Sequence, residues 1–137
     1  MVDPTAPLTD DDYAALAAFR RALRGFQAFT RERVASQGLT PQQHQALLAI
    51  RAAASGPPTI GEIARELMLK PHSATGLINR LKEQGWIERI DATDDRRRAC
   101  LQLTDKARAA LAALSATHRA EIRRMRPMLE AMLAAIG

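Results

Sequence analysis

The stretch from Thr59 to Thr104, TIGEIARELMLKPHSATGLINRLKEQGWIERIDATDDRRRACLQLT, leaves this chain few choices of fold. Thr59 with Glu62 three residues on forms a capping box, in which each side chain satisfies a free N–H at a helix start. Ile63, Ala64 and Leu67 then recur at helical spacing. The run Leu69-Lys70-Pro71 ends that helix, because the residue before a proline is pushed out of the α region. Pro71 suits the first position of a new helix, where a missing N–H costs nothing. Ala74, Leu77, Ile78 and Leu81 form the buried stripe of this second helix, and Gly85 stops it.

Two short helices joined by a tight turn match the helix-turn-helix pattern, with the second as the reading helix. Its outward residues are His72, Ser73, Thr75, Gly76, Asn79 and Arg80, all small or hydrogen-bonding. Trp86 to Ile90 (WIERI) alternates as a short strand, DATDDRRR is a charged turn, and Ala99, Leu101 and Leu103 alternate again. A hairpin with a charged tip directly after a reading helix makes a winged helix, and the tip is the wing.

The order helix, helix, G-W-I-x-R, D-D-R-R-R, then L-x-L-T resembles the MarR family of bacterial transcription regulators. With the flanking helices the resemblance covers about residues 10–136. It implies a mainly α fold, a winged helix-turn-helix over 59–104 between dimerisation helices over 10–38 and 105–136, all one MarR-type domain spanning 1–137. It also implies a D-x-R feature at the wing tip, on Asp95 and Arg97, with Arg97 in the minor groove and Asp95 bracing its guanidinium. The physics agrees, since a narrow minor groove has enhanced negative potential and suits a planar, permanently charged group.

Composition enters as a check. At 137 residues the chain is one domain by length, 47% apolar and 26% charged, with only 4% aromatics, which favours helices over a β-sandwich. The net charge of +5 suits a polyanionic partner. Within 61–104 the charges nearly cancel, so their placement matters more than their sum. Arg96, Arg97 and Arg98 crowd the wing tip beside Asp95, while Lys70, Arg80 and Lys82 lie on or beside the reading helix. No apolar run approaches the roughly 18 residues of a membrane span. The acidic start, without a signal-peptide pattern, and the single cysteine point to the cytoplasm.

The flanks read as helical framing. Residues 1–9 carry two prolines and no periodicity. Asp10, Asp11 and Asp12 open a long helix to about Gly38, with Tyr13, Leu16, Phe19, Leu23, Phe26, Phe29 and Val34 at helical intervals. Thr40-Pro41-Gln42-Gln43 is a second capping box, opening a helix to about Ala54. After the hairpin, Thr104-Asp105 caps a helix striped by Leu111, Leu114, His118, Ile122 and Met125. Pro127 is expected to interrupt it, leaving a short final helix from Met128 to Ile136. The terminal helices carry more apolar surface than a small winged helix covers, and a second copy would bury it across a two-fold axis.

Within the reading helix, Ser73, Thr75 and Asn79 are the base-edge candidates, and His72 in the first turn is placed to face DNA. Lys70, Arg80 and Lys82 are phosphate contacts. Gly76 departs from the longer polar residue common in the family and costs the helix about 1 kcal/mol relative to alanine; it either lets the backbone approach the DNA or simply loses a contact. Cys100 falls opposite in phase to the inward Leu101 and Leu103, and reads as a bystander thiol. His44, His72 and His118 lack the short spacing of a zinc site. No catalytic motif or cofactor signature appears. The expected function is therefore a non-enzymatic, homodimeric, DNA-binding repressor of a pseudo-palindromic operator. The resemblance also implies release by a small aromatic or phenolic anion, for which Tyr13, Arg20, His44 and Arg51 are the candidate residues. The competing reading is a winged helix that coats DNA without sequence preference or docks onto another protein.

Overall fold

The computed structural model describes residues 3–91 and 99–136. Its elements run α1 (Asp10–Ser36), α2 (Pro41–Ala52), α3 (Ile60–Glu66), α4 (Pro71–Glu83), β1 (Ile87–Asp91), β2 (Ala99–Leu103) and α5 (Asp105–Ile136). This is a mainly α chain with one antiparallel two-stranded sheet, the winged-helix arrangement the sequence predicts. It divides into two compact units, Val34–Leu114 and the terminal segments Met1–Arg33 with Ser115–Gly137.

The first unit is assembled around one apolar core. Leu47 from α2, Ile63 from α3, Ile78 and Leu81 from α4, Trp86, Ile87 of β1 and Leu101 of β2 are all buried in it. Helix ends in this unit are set by matched caps. At α2, Thr40 accepts from the Gln43 N–H while Gln43 accepts from the Thr40 N–H, both at 3.1 Å, so the predicted box forms in full. At α3 the Thr59 hydroxyl accepts from the Glu62 N–H at 3.2 Å, which is the first half of the predicted box. Three helices end in a Schellman motif, in which the two N–H groups beyond the C-cap bond back to the last turn. Gly38 (φ +81°) and Gly85 (φ +80°) supply the left-handed residue after α1 and α4. After α3 that residue is Met68, at φ +54°. Its N–H donates to the Arg65 carbonyl at 3.2 Å and the Leu69 N–H to that of Ala64 at 2.8 Å. A β-carbon in this region costs roughly 1–2 kcal/mol. The stop therefore precedes Pro71, and a methionine makes it where glycine is usual.

In the sheet Ile87 pairs with Leu103, Arg89 with Leu101, and Ile90 with Cys100. Cys100 has the predicted phase, opposite Leu101, but is buried at 8% exposure. The cause is a neighbour that periodicity does not reveal. Thr59 bridges Cys100 on the free edge of β2, and the Leu101 N–H donates to the Pro58 carbonyl at 2.8 Å. A buried thiol of this kind is chemically quiet.

The terminal unit corrects the expectation at Pro127. Helix α5 runs unbroken from Asp105 to Ile136 with the proline inside it. Proline removes one backbone bond and crowds the carbonyl four residues earlier. Side chains on both sides offset this, because the half-buried Met125, Met128, Leu129 and Met132 continue one stripe through it. Arg126 and Glu130 also straddle the proline as an i,i+4 ion pair at 2.8 Å. Elsewhere in this unit Phe26 of α1 meets His118 of α5, ring centroids 6.5 Å apart and tilted by 56°.

Candidate nucleic-acid interface

Helix α4 presents two faces of opposite character. Ala74, Leu77, Ile78 and Leu81 are buried, while His72, Ser73, Thr75, Gly76, Asn79, Arg80 and Lys82 are exposed, with Lys70 exposed at the N-cap. The division matches the sequence expectation residue by residue. It follows from 3.6-residue periodicity acting on a helix with one apolar stripe. Seven of the predicted interface residues thus share one continuous surface: Lys70, His72, Ser73, Thr75, Asn79, Arg80 and Lys82. Asp95, Arg96, Arg97 and Arg98, the predicted wing tip, lie outside the described residues.

Two local features define what this face can do. No side-chain cap covers the start of α4, where Lys70 is the N-cap and Pro71 the first helical residue. The early N–H groups and the positive end of the helix dipole therefore reinforce Lys70 and favour an anion there. Second, the Thr75 hydroxyl donates to the Pro71 carbonyl at 3.0 Å. With its proton engaged, Thr75 offers only acceptor lone pairs and a methyl group outward. It can receive a hydrogen bond from an amino group or touch an apolar edge, but it cannot donate to phosphate. The sequence could not distinguish these roles, since the bond depends on one side-chain rotamer.

The far end of α4 is held by residues that the sequence reading did not single out. Gln84, the C-cap, receives the Gln43 side-chain amide at 3.0 Å and, on its carbonyl, the Lys106 ammonium at 2.7 Å. The same ammonium sits 4.1 Å from the Trp86 ring centroid, a cation–π contact. Thr104 donates to the Gly85 carbonyl at 2.7 Å and accepts from the Ala107 N–H at 3.3 Å, so one hydroxyl ties the end of α4 to the start of α5. α2 and α5 thus jointly orient the reading helix. Gln43 was legible only as a capping residue; its second partner is 41 residues away.

The four candidate effector residues fall in different units. Tyr13 and Arg20 are exposed on the terminal part of α1; His44 is buried on the inner face of α2 and Arg51 is exposed near its end. A groove of about 300 Å³ beside α2 and α3 is lined by Ala49, Ala53, Pro58, Glu62, Ile63 and their neighbours, and not by His44 or Arg51. Among the described residues, no three His, Cys, Asp or Glu side chains converge as metal ligands. No described helix is long and apolar enough to cross a membrane.

Residues 37–98, from the end of α1 to the wing, match the MarR family model. Over that segment the chain is similar to the MarR family. Solved structures agree on the fold. AbsC, a MarR family transcriptional regulator from Streptomyces coelicolor, superposes with a TM-score of 0.71 at 20% identity, over 88% of this chain and 81% of its own. YusO protein from Bacillus subtilis is 27% identical over 94% of this chain and 93% of its own, with a TM-score of 0.66. The Staphylococcus aureus MepR–DNA complex matches at a TM-score of 0.67 and 20% identity, over 88% of this chain and 99% of MepR. No curated protein sequence matches the chain. The MarR-family match ends before β2, so it lies within the unit that holds α4 and leaves the terminal helices outside it.

Proposed function

We propose that this protein is a homodimeric, DNA-binding transcription regulator of the MarR family that represses by occupying a pseudo-palindromic operator in the cytoplasm. The observation that carries the reading is the α4 surface: exposed hydrogen-bonding side chains on either side of Gly76, with cations beside them, on a winged helix that matches the MarR family model. In this reading Ser73, Thr75 and Asn79 address base edges in the major groove, with His72 beside them. Asn79 has the bidentate geometry that adenine accepts, and Thr75 acts as an acceptor or through its methyl. Lys70, Arg80 and Lys82 hold phosphates and set register. Arg97 enters the minor groove with Asp95 bracing it, and Arg96 and Arg98 add phosphate contacts.

The terminal helices support the dimer, because they leave Ile122, Leu133 and Tyr13 exposed at 54%, 67% and 59%. A two-fold pair would set two reading helices about 34 Å apart, one turn of DNA. Each protomer then acts as one MarR-type domain, its two units working together. A small aromatic or phenolic anion that favours the non-binding arrangement would release the operator. A swing from 99:1 to 1:99 needs about 10⁴-fold differential affinity.

Fluorescence anisotropy across a salt series tests the proposal, using the DNA upstream of the protein's own gene and a scrambled duplex of equal length. Wild type should prefer the upstream duplex by about 10³-fold or more. Arg97→Ala should weaken that binding and lower the salt slope by about one counterion. Equal binding to both duplexes would point to a sequence-indifferent coating protein. No binding at low salt would point to a protein-docking module, and either result ends the operator reading.

A further inference from the structure

We infer that Gly76 sets the depth at which α4 enters the major groove. The inference rests on the reading of α4 as the groove-entering helix. At about 100° per residue, Gly76 lies opposite the stripe of Ala74, Leu77, Ile78 and Leu81, in line with the exposed His72, Asn79 and Glu83. It is therefore at the crest of the outward face.

Nothing among the described residues calls for glycine there. Gly38 and Gly85 sit at positive φ, where a β-carbon is strained, but Gly76 has no such backbone. A β-carbon built on it would meet no atom within 4 Å. A mid-helix glycine with neither a conformational nor a packing reason only weakens the helix. A contact from outside the chain would compensate for that cost.

The side chains around Gly76 indicate what that contact is. Ser73, Thr75 and Asn79 are short, and Thr75 is shortened further in function because its proton is turned back onto the Pro71 carbonyl. Such groups reach base edges only if the helix backbone itself comes close to the groove floor. A side chain on the crest would hold the helix away and lift all three out of range. Glycine removes that obstacle and lets its own Cα rest against the base edges. Gly76 is thus a positioning residue: it makes no hydrogen bond itself but decides whether its neighbours can.

The test compares wild type with Gly76→Ala and Gly76→Met. Wild type first selects from a randomised duplex library, and the enriched duplex and its scrambled counterpart serve as probes at fixed salt, beside thermal melts of each protein. Gly76→Ala should melt higher by about 2–6 °C and bind the enriched duplex at least ~10-fold more weakly. Affinity for the scrambled duplex and the salt slope should not change, because both report phosphate contacts. Gly76→Met should lose ~100-fold or more on the same probe. A more stable Gly76→Ala protein that binds like wild type overturns the inference, as does a lowered melting temperature or an equal loss on both duplexes. If wild type enriches no sequence at all, it is the reading of α4 that has failed, and this inference with it.

Discussion

The two units are built from similarly apolar helices but bury them very differently. Among the described residues, every side chain in the core belongs to Val34–Leu114, and the terminal segments contribute none. In the first unit, α2, α3, α4 and the sheet close around Leu47, Ile63, Ile78, Leu81 and Leu101. In the second, Leu16, Phe19, Leu23, Phe26 and Phe29 are only half-buried, and Ile122 and Leu133 face solvent. A stripe at helical spacing is thus no guarantee of a core within one chain. Short, differently directed elements can surround a point, whereas long helices alone leave one side uncovered. The first unit closes a core by itself, and the second leaves large apolar side chains exposed.

The sharpest way to break this contrast is a matched truncation. Leu47→Ala, at a fully buried site, should lower unfolding free energy by about 2–5 kcal/mol, read from urea or thermal unfolding. Leu133→Ala should change the stability of a dilute monomer by less than about 0.5 kcal/mol. Equal losses at the two sites would show the units to be equally packed.

A smaller effect is expected when charge is placed on the open stripe. Ile122→Asp combined with Leu133→Asp should weaken self-association about 100-fold, near 2.8 kcal/mol, in sedimentation equilibrium, with helix content retained. A variant that associates like wild type would remove the terminal helices from the interface.

The mildest effect concerns pH. Burial beside Phe26 lowers the pKa of His118 from its ordinary value of 6.5. The unfolded chain then binds a proton more readily than the fold between the two values. Stability from this site is complete above the ordinary value and falls as pH drops through it to the depressed one. His118→Leu should flatten that part of the stability–pH curve, measured as urea midpoints from pH 5 to 8. An unchanged slope would assign the pH dependence to other groups.

Local signals were legible where the cause lies within a few residues. The Thr40 and Thr59 caps, Pro71 at a helix start, the Gly38 and Gly85 stops and the inward stripe of α4 all depend on short-range sterics and hydrogen bonding. Misreadings occurred where a distant or non-local group decides. Cys100 is covered by Thr59, 41 positions away along the chain. Pro127 does not end α5, because an apolar stripe and the Arg126–Glu130 pair run across it. Met68 ends α3 in a conformation that its residue type does not advertise.

The sequence by itself determined the winged-helix plan, the family it resembles and the identity of the outward residues on the reading helix. Those follow from periodicity, capping and turn chemistry, which act over one or two helical turns. Only the tertiary structure decided how that helix is held and what its side chains can offer. The Gln43–Gln84–Lys106 anchorage joins three elements, the Thr75 hydroxyl is committed by its rotamer, and among the described residues no atom lies within 4 Å of a β-carbon built on Gly76. Each of these depends on where separate segments meet in space, or on which of several allowed rotamers the packed chain selects.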